Sequence, residues 1–264
     1  MAHQVSLITY LQQGFQPLPI IDQGQSPQNT RHDRYKADDI GNVGHWANFN
    51  LASIQQQFGA VLAAAQIADK PVPPSPPRPI NSERAVRSRI DSYLTNRVIR
   101  SLRHGFAHLN ATGQLAGLTV LNYDVGSMAS TPESDEDSIP DLAFFDPNLP
   151  LKTRPNRAPG VIKPSYKWSL NQRNSPDPSL RTEFKQVLSR VNFYMKQHRA
   201  RYGFILTDCE LVAIRRLDGN GNLDLSASIP WTSSGTAQNP QLTVALGLWY
   251  LGMLAANDQE WFLE

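Results

Sequence analysis

The sequence predicts a mixed α/β fold, and three observations carry that prediction. Short apolar runs rich in β-branched and aromatic residues lie at 115–125, 141–145, 161–168, 203–207, 211–216 and 223–229, which is the length and composition of strands. Longer segments repeat their apolar residues at helical spacing. The order helix, three strands, helix, short strands, helix is that of a central sheet with helices packed on it.

The elements follow in chain order. The first 45 residues are rich in Gln, Asp, Asn and Pro with weak periodicity, and read as a mostly irregular arm on the surface. Over 51–67, Leu51, Ile54, Phe58, Val61, Leu62 and Ala65 recur on one helical stripe. Six prolines crowd the stretch from Pro71 to Pro79; they cannot donate ladder hydrogen bonds and favour an extended connection. That boundary divides the chain into 1–79, an arm, a helix and a Pro-rich connection, and 80–264, the α/β domain. Asn81 or Ser82 caps a helix reaching about Arg103, with Val86, Ile90, Tyr93, Leu94, Val98 and Leu102 on its stripe. A second amphipathic helix carries Leu180, Phe184, Val187, Leu188, Val191, Tyr194 and Met195, with Pro176 and Pro178 at its start. Strands at 203–207 and 211–216 flank a turn at 208–210, and an apolar helix over 241–256 ends the pattern.

Composition narrows the function classes. A chain of 264 residues with 40% hydrophobic residues is ordinary for a globular protein and excludes wholesale disorder, collagen and coiled coil. No run approaches the length of a membrane span, and residues 1–13 lack the order of a signal peptide, so an intracellular location, cytoplasmic or nuclear, is expected. The one cysteine, Cys209, excludes an internal disulfide and a cysteine-based zinc cluster. The net charge of +2 is a cancellation. Residues 78–103 hold seven Arg against Glu83 and Asp91, residues 133–151 hold six acids and no base, and residues 152–216 hold 14 basic against 4 acidic groups. Basic blocks around an acidic one suit a protein that approaches phosphate, which makes nucleic acid, DNA or RNA, the expected partner; a solvated basic face is the plain alternative.

The chemistry concentrates at Pro140-Asp141 and Gly160-Val161-Ile162-Lys163. Side chains alternate along a strand, so residue 161 neighbours the Lys163 amine. A carboxylate at 161 would join Asp141 in holding Mg²⁺, with the Ile162 carbonyl as a further oxygen ligand and Lys163 activating water.

The segment Gly160-Val161-Ile162-Lys163-Pro164-Ser165-Tyr166-Lys167-Trp168 resembles the PD-(D/E)XK nuclease superfamily, in particular fungal nuclease-like proteins whose strand reads roughly Gly-Asp-x-Lys-Pro-Ser-Trp-Lys-Trp. The resemblance extends to the helix at Glu83, to Phe184-Lys185-Gln186-Val187-Leu188 and to the strand from Arg201 to Asp208, over residues 80–256. It implies a restriction-endonuclease-like core and endonuclease activity with Mg²⁺ or Mn²⁺: Asp141, Glu83 and the Ile162 carbonyl on the metal, Lys163 assisting water, and Gln186 positioning the substrate. Lys167, Arg87, Arg97, Arg100 and Arg103 would contact the nucleic-acid backbone. The chain departs from the pattern at Val161, which stands where the family has Asp or Glu and cannot ligate a metal. Two outcomes stay open: a hydrolase weakened to one or two carboxylates, or a pseudo-enzyme that binds nucleic acid or a protein partner. A fungal toxin, effector or incompatibility factor is compatible with either.

Each residue also has a plain reading. Glu83 suits a helix N-terminus, Asp141 the start of a strand, Gln186 a solvated face, and Lys163 a simple salt bridge with Asp141. Tyr166 and Trp168 point to the other face, towards core packing. The Asp218, Asn220, Asn222, Asp224 series lacks the glycine and glutamate of a calcium loop and reads as a turn. His104 and His108 lack the glutamate of a zinc protease, the sequon at Asn110 lacks a secretory context, and Cys209 sits in a hairpin turn.

Overall fold

The computed structural model describes residues 3–21, 26, 28–72, 77–130 and 138–264. Part of the proline run and the acidic stretch 133–137 therefore lie outside the described residues. The mixed α/β expectation holds: among the described residues, eight strands form one mixed sheet with helices on both faces.

The chain starts with β1 (Gln4–Ser6) and α1 (Leu7–Leu11), followed by β2 (Val43–His45), α2 (Leu51–Ala64) and β3 (Gln66–Ala68). Next come α3 (Glu83–Ile90), a π-helical turn (Asp91–Thr95) and α4 (Asn96–Ala111). Strands β4 (Asn122–Val125), β5 (Leu142–Phe145) and β6 (Gly160–Ile162) precede α5 (Pro178–Gln197). After it stand β7 (Tyr202–Leu206), β8 (Glu210–Arg216), β9 (Leu223–Leu225), β10 (Ile229–Pro230) and α6 (Val244–Ala256). The sheet order is β2-β9-β8-β7-β6-β5-β4, with β10 also on β8. The pairs β2–β9 and β6–β7 are parallel and the others antiparallel. A separate small sheet pairs β1 with β3.

Alternation along the central strands sorts the core into two layers. Ile162, Phe204, Leu206, Leu211 and Ala213 join the cluster that contains α4 and α6, while Val161, Ile205, Val212 and Ile214 join the one under α5. Because both faces are covered, β7 is buried at every position. Helix α6 is buried nearly all round, as an apolar helix without a polar face must be. Thr243 caps it, accepting from Leu246 N–H at 3.1 Å and donating to the Leu11 carbonyl at 2.6 Å.

Several boundaries differ from the sequence expectation for identifiable reasons. The run 115–125 is a strand only from Asn122, because Gly113 and Gly117 take positive φ (70° and 76°) and turn the chain first. The run 161–168 is a strand only to Ile162; Pro164 follows, and its carbonyl accepts from the amides of Lys167 and Trp168 in a turn. The tail of the 51–67 helix becomes β3, drawn off by pairing with β1. The helix from Glu83 continues past Arg103 to Ala111.

The N-terminal arm also differs. It buries Leu7, Tyr10, Leu11, Phe15, Leu18, Tyr35 and Ile40, followed just beyond it by Trp46 and Phe49, and β2 joins the main sheet beside β9. Aromatic and aliphatic residues spread too thinly for a period still find a core when the surface that receives them is folded from the rest of the chain.

Candidate functional site

The candidate site lies where β5 and β6 run side by side beneath the start of α3. Asp141 immediately precedes β5; its amide donates to the Gly160 carbonyl at 3.0 Å, which ties it to the first residue of β6. Its carboxylate turns to the same strand: Oδ2 accepts from the Ile162 amide at 2.6 Å and Oδ1 accepts from the Arg87 guanidinium of α3. Asp141 is 5% exposed. Ile162 thus meets Asp141 through its N–H.

Lys163 follows β6, and its amide donates to the Leu206 carbonyl at 3.0 Å. Its ammonium is bidentate on Glu83, at 2.9 and 3.0 Å. The partner of Lys163 is therefore the helix carboxylate rather than Asp141. Glu83 is the first residue of α3, whose N-cap Ser82 accepts from Ala85 N–H at 3.2 Å; the cap aims the first turn at the strand end. Burial lowers the Lys163 pKa from its ordinary value, and the Glu83 and Asp141 carboxylates oppose that shift. Arg190 of α5 also feels the field of Asp141. Burial works against its charge, but Tyr194 and Asp141 outweigh that and raise its pKa; its Nε donates to the Tyr194 hydroxyl at 2.9 Å.

Val161 is fully buried, in the apolar cluster with Phe184, Val187 and Ile205. These residues do not fit a divalent metal. Both Glu83 oxygens face an ammonium, both Asp141 oxygens hold N–H donors, and the third position is a hydrocarbon, whereas Mg²⁺ is ordinarily held by one or two carboxylates that meet it directly. Among the described residues, no group of three or more His, Cys, Asp or Glu side chains is placed to hold a metal ion.

The remaining candidates separate. Gln186 is 2% exposed, and its Nε2 donates to the carbonyls of Thr30 and Tyr35 in the arm, so it is covered rather than solvated. Lys167 is half-buried, and its carbonyl accepts from Asn29 Nδ2 at 3.2 Å. Arg97 is 5% exposed and serves the fold: its guanidinium binds the Tyr10 and Lys70 carbonyls and lies 4.2 Å from the centre of the Tyr10 ring. Arg100 donates to the Ala68 carbonyl at 2.9 Å. Neither is presented for backbone contact as the sequence reading expected, whereas Arg87 and Arg103 are exposed. Trp168 packs in the α5 layer, stacked on Phe184 at 5.6 Å, in agreement with its core reading. The Asp218–Asn222 stretch is a turn, closed by bonds from Asn220 and Asn222 to Asp218.

Sequence reasoning missed Glu183 and Arg190. Glu183 is 5% exposed and accepts from the Asn29 amide at 2.7 Å, from Asn29 Nδ2 at 3.1 Å and from Arg31. The only signal in the sequence was a charged residue beside the apolar stripe of a helix, which is ordinarily solvated.

No family model matches the chain. Searches of curated proteins and of solved structures likewise find no significant match.

Proposed function

We propose that this chain is a PD-(D/E)XK nuclease-like protein that binds nucleic acid through its basic face and whose phosphodiester-hydrolysing centre is silent as the sequence stands. The observation that carries this reading is the pairing at the centre: Glu83 with Lys163 and Asp141 with Arg87, beside a fully buried Val161. While these pairs hold, the Lys163 ammonium is engaged by a carboxylate and both carboxylates are neutralised by cations of the chain, so water activation and metal binding each require a pair to be broken first. Binding is supported by exposed cations, Arg84 on α3, Arg87 beside Asp141, and Arg31, Arg34 and Lys36 on the arm.

The test is incubation with DNA and RNA in Mg²⁺ or Mn²⁺, beside a binding titration at two salt concentrations. The expected result is salt-sensitive binding without metal-dependent cutting. Cleavage by the unmodified chain that disappears in Asp141→Ala would overturn the silent centre.

A further inference from the structure

Residues 29–40 lie along α5 as a strap, and the bonds that hold them there have a one-sided chemistry. Gln186 Nε2 donates to the Thr30 and Tyr35 carbonyls, each at 3.3 Å, and Lys185 Nζ donates to the Ile40 carbonyl at 3.1 Å. Two donor side chains of the helix are thus met by three oxygens of the strap. The exception is Glu183, which takes the Asn29 and Arg31 donors. At one end the chain is fastened where the Ile21 amide donates to the Ile80 carbonyl at 2.9 Å, three residues before Glu83; at the other it enters β2. Arg34 donates to Ser138 Oγ at 2.6 Å, which brings the strap to the segment leading into Asp141.

Charge favours an anionic occupant for the face beneath. Helix α5 carries Arg181, Lys185, Arg190 and Lys196 against the single acid Glu183, whereas the strap balances Arg31, Arg34 and Lys36 with Asp33, Asp38 and Asp39. A cleft of about 470 Å³ lies between them, lined by Thr182 and Gln186 of the helix and by Arg31, Asp33, Lys36 and Asp38 of the strap, so the strap is not sealed onto the helix and its own charges balance there.

We propose that the face of α5 around Lys185 and Gln186 is a docking surface for the phosphodiester backbone of nucleic acid, and that residues 29–40 cover it as an intramolecular stand-in. The inference rests on the nucleic-acid reading above. Phosphate oxygens accept from the same amide and ammonium donors that the strap carbonyls now satisfy. Displacing the strap carries Arg31 away from Glu183 and leaves that carboxylate as the one acid of a helix that keeps Arg181, Lys185, Arg190 and Lys196. A covered surface binds with an affinity reduced by the fraction of molecules in which it is open.

The test uses the full chain and fluorescein-labelled single-stranded DNA, duplex DNA and RNA oligonucleotides, read by anisotropy and by hydrogen exchange over residues 28–40. Adding oligonucleotide to the unmodified protein is expected to speed exchange in the strap while β7 and β8 keep their protection. Asn29→Ala combined with Glu183→Gln is expected to open the strap and tighten binding about fivefold or more, and Lys185→Ala to weaken it by a similar factor. The exchange measurement on unmodified protein needs no substitution, so a variant that fails to fold leaves a decisive reading in place. Binding by the unmodified protein with unchanged strap exchange, or an opened variant that binds no tighter, overturns the inference and spares the nucleic-acid reading. No binding by either the unmodified or the opened protein overturns both.

Discussion

Glu83 and Lys163 share an ion pair that is unequal in burial: the lysine side chain is 4% exposed and the glutamate 29%. Removing one partner or the other therefore has different consequences. Glu83→Ala strands a buried ammonium and is expected to lower the unfolding free energy by about 2 kcal/mol, whereas Lys163→Met replaces the charge with apolar volume and is expected to change it by less than about 1 kcal/mol. Urea unfolding of the two variants checks this; equal losses would mean that the pair, rather than the buried charge, sets the stability. His198 supplies a pH prediction. It is 6% exposed, its Nδ1 accepts from the Asn156 amide at 3.3 Å, and burial pushes its pKa down from 6.5 to about 4. Between those values the unfolded chain binds the extra proton, so stability rises with pH through this window and is lost on acidification towards pH 4, by at most about 3 kcal/mol. His198→Gln keeps an acceptor for Asn156 and is expected to flatten that limb of the stability curve; an unchanged limb would assign it to other groups.

Among the elements, the helix from Glu83 to Ala111 joins propensity to packing. Val86, Ile90, Leu94, Val98, Leu102 and Phe106 are buried at a strict spacing of four. In a regular α-helix that spacing drifts by about 40° per step, and the wider π turn at Asp91–Thr95 rotates the stripe back onto the core. A spacing rule applied to the sequence finds the stripe but not the turn, since no residue type marks it. Two glycines show the same division. Gly113 and Gly221 both have positive φ (70° and 78°), but a Cβ at Gly113 meets open space, while one at Gly221 would lie 1.9 Å from the Asp39 carbonyl oxygen. Gly113→Ala is expected to cost about 1 kcal/mol from the backbone alone. Gly221→Ala is expected to cost more than about 2 kcal/mol by pushing the 218–222 turn off the arm. Thermal melts of both variants decide it, and equal shifts would contradict the close approach.

For the whole molecule, the basic residues divide by what they touch. Arg97 is buried against the Tyr10 carbonyl of the N-terminal arm and the Lys70 carbonyl, and Arg103 is exposed on the same helix. Arg97→Ala is expected to lower stability by about 2–3 kcal/mol, because it leaves buried carbonyls unpaired, with no direct effect on the salt dependence of binding. Arg103→Ala is expected to leave stability within about 0.5 kcal/mol and, where it meets a phosphate, to reduce the salt slope by about one. Parallel unfolding and salt titrations distinguish the two. Composition alone had assigned both to one basic surface, because a charge count carries no information on burial.

The sequence by itself determined the alternation of apolar runs and helical stripes, and with it the mixed α/β class, the central hairpin of β7 and β8, and the helices α4, α5 and α6. It also marked Asp141 and Lys163, ionisable groups beside apolar strands, whereas Glu83 and Gln186 were brought forward by the resemblance of the surrounding segments, their local pattern being that of a helix start and a solvated face. Only the tertiary structure decided the partners. Lys163 reaches Glu83 rather than Asp141, Arg87 takes Asp141, and the arm covers Gln186 and Glu183. Alternation and spacing are local properties read over a few residues, whereas these bonds join positions 54 to 156 residues apart. Which of several nearby cations and carboxylates meet is set by sheet order and by the path of the arm, and neither is written in any short stretch of the chain.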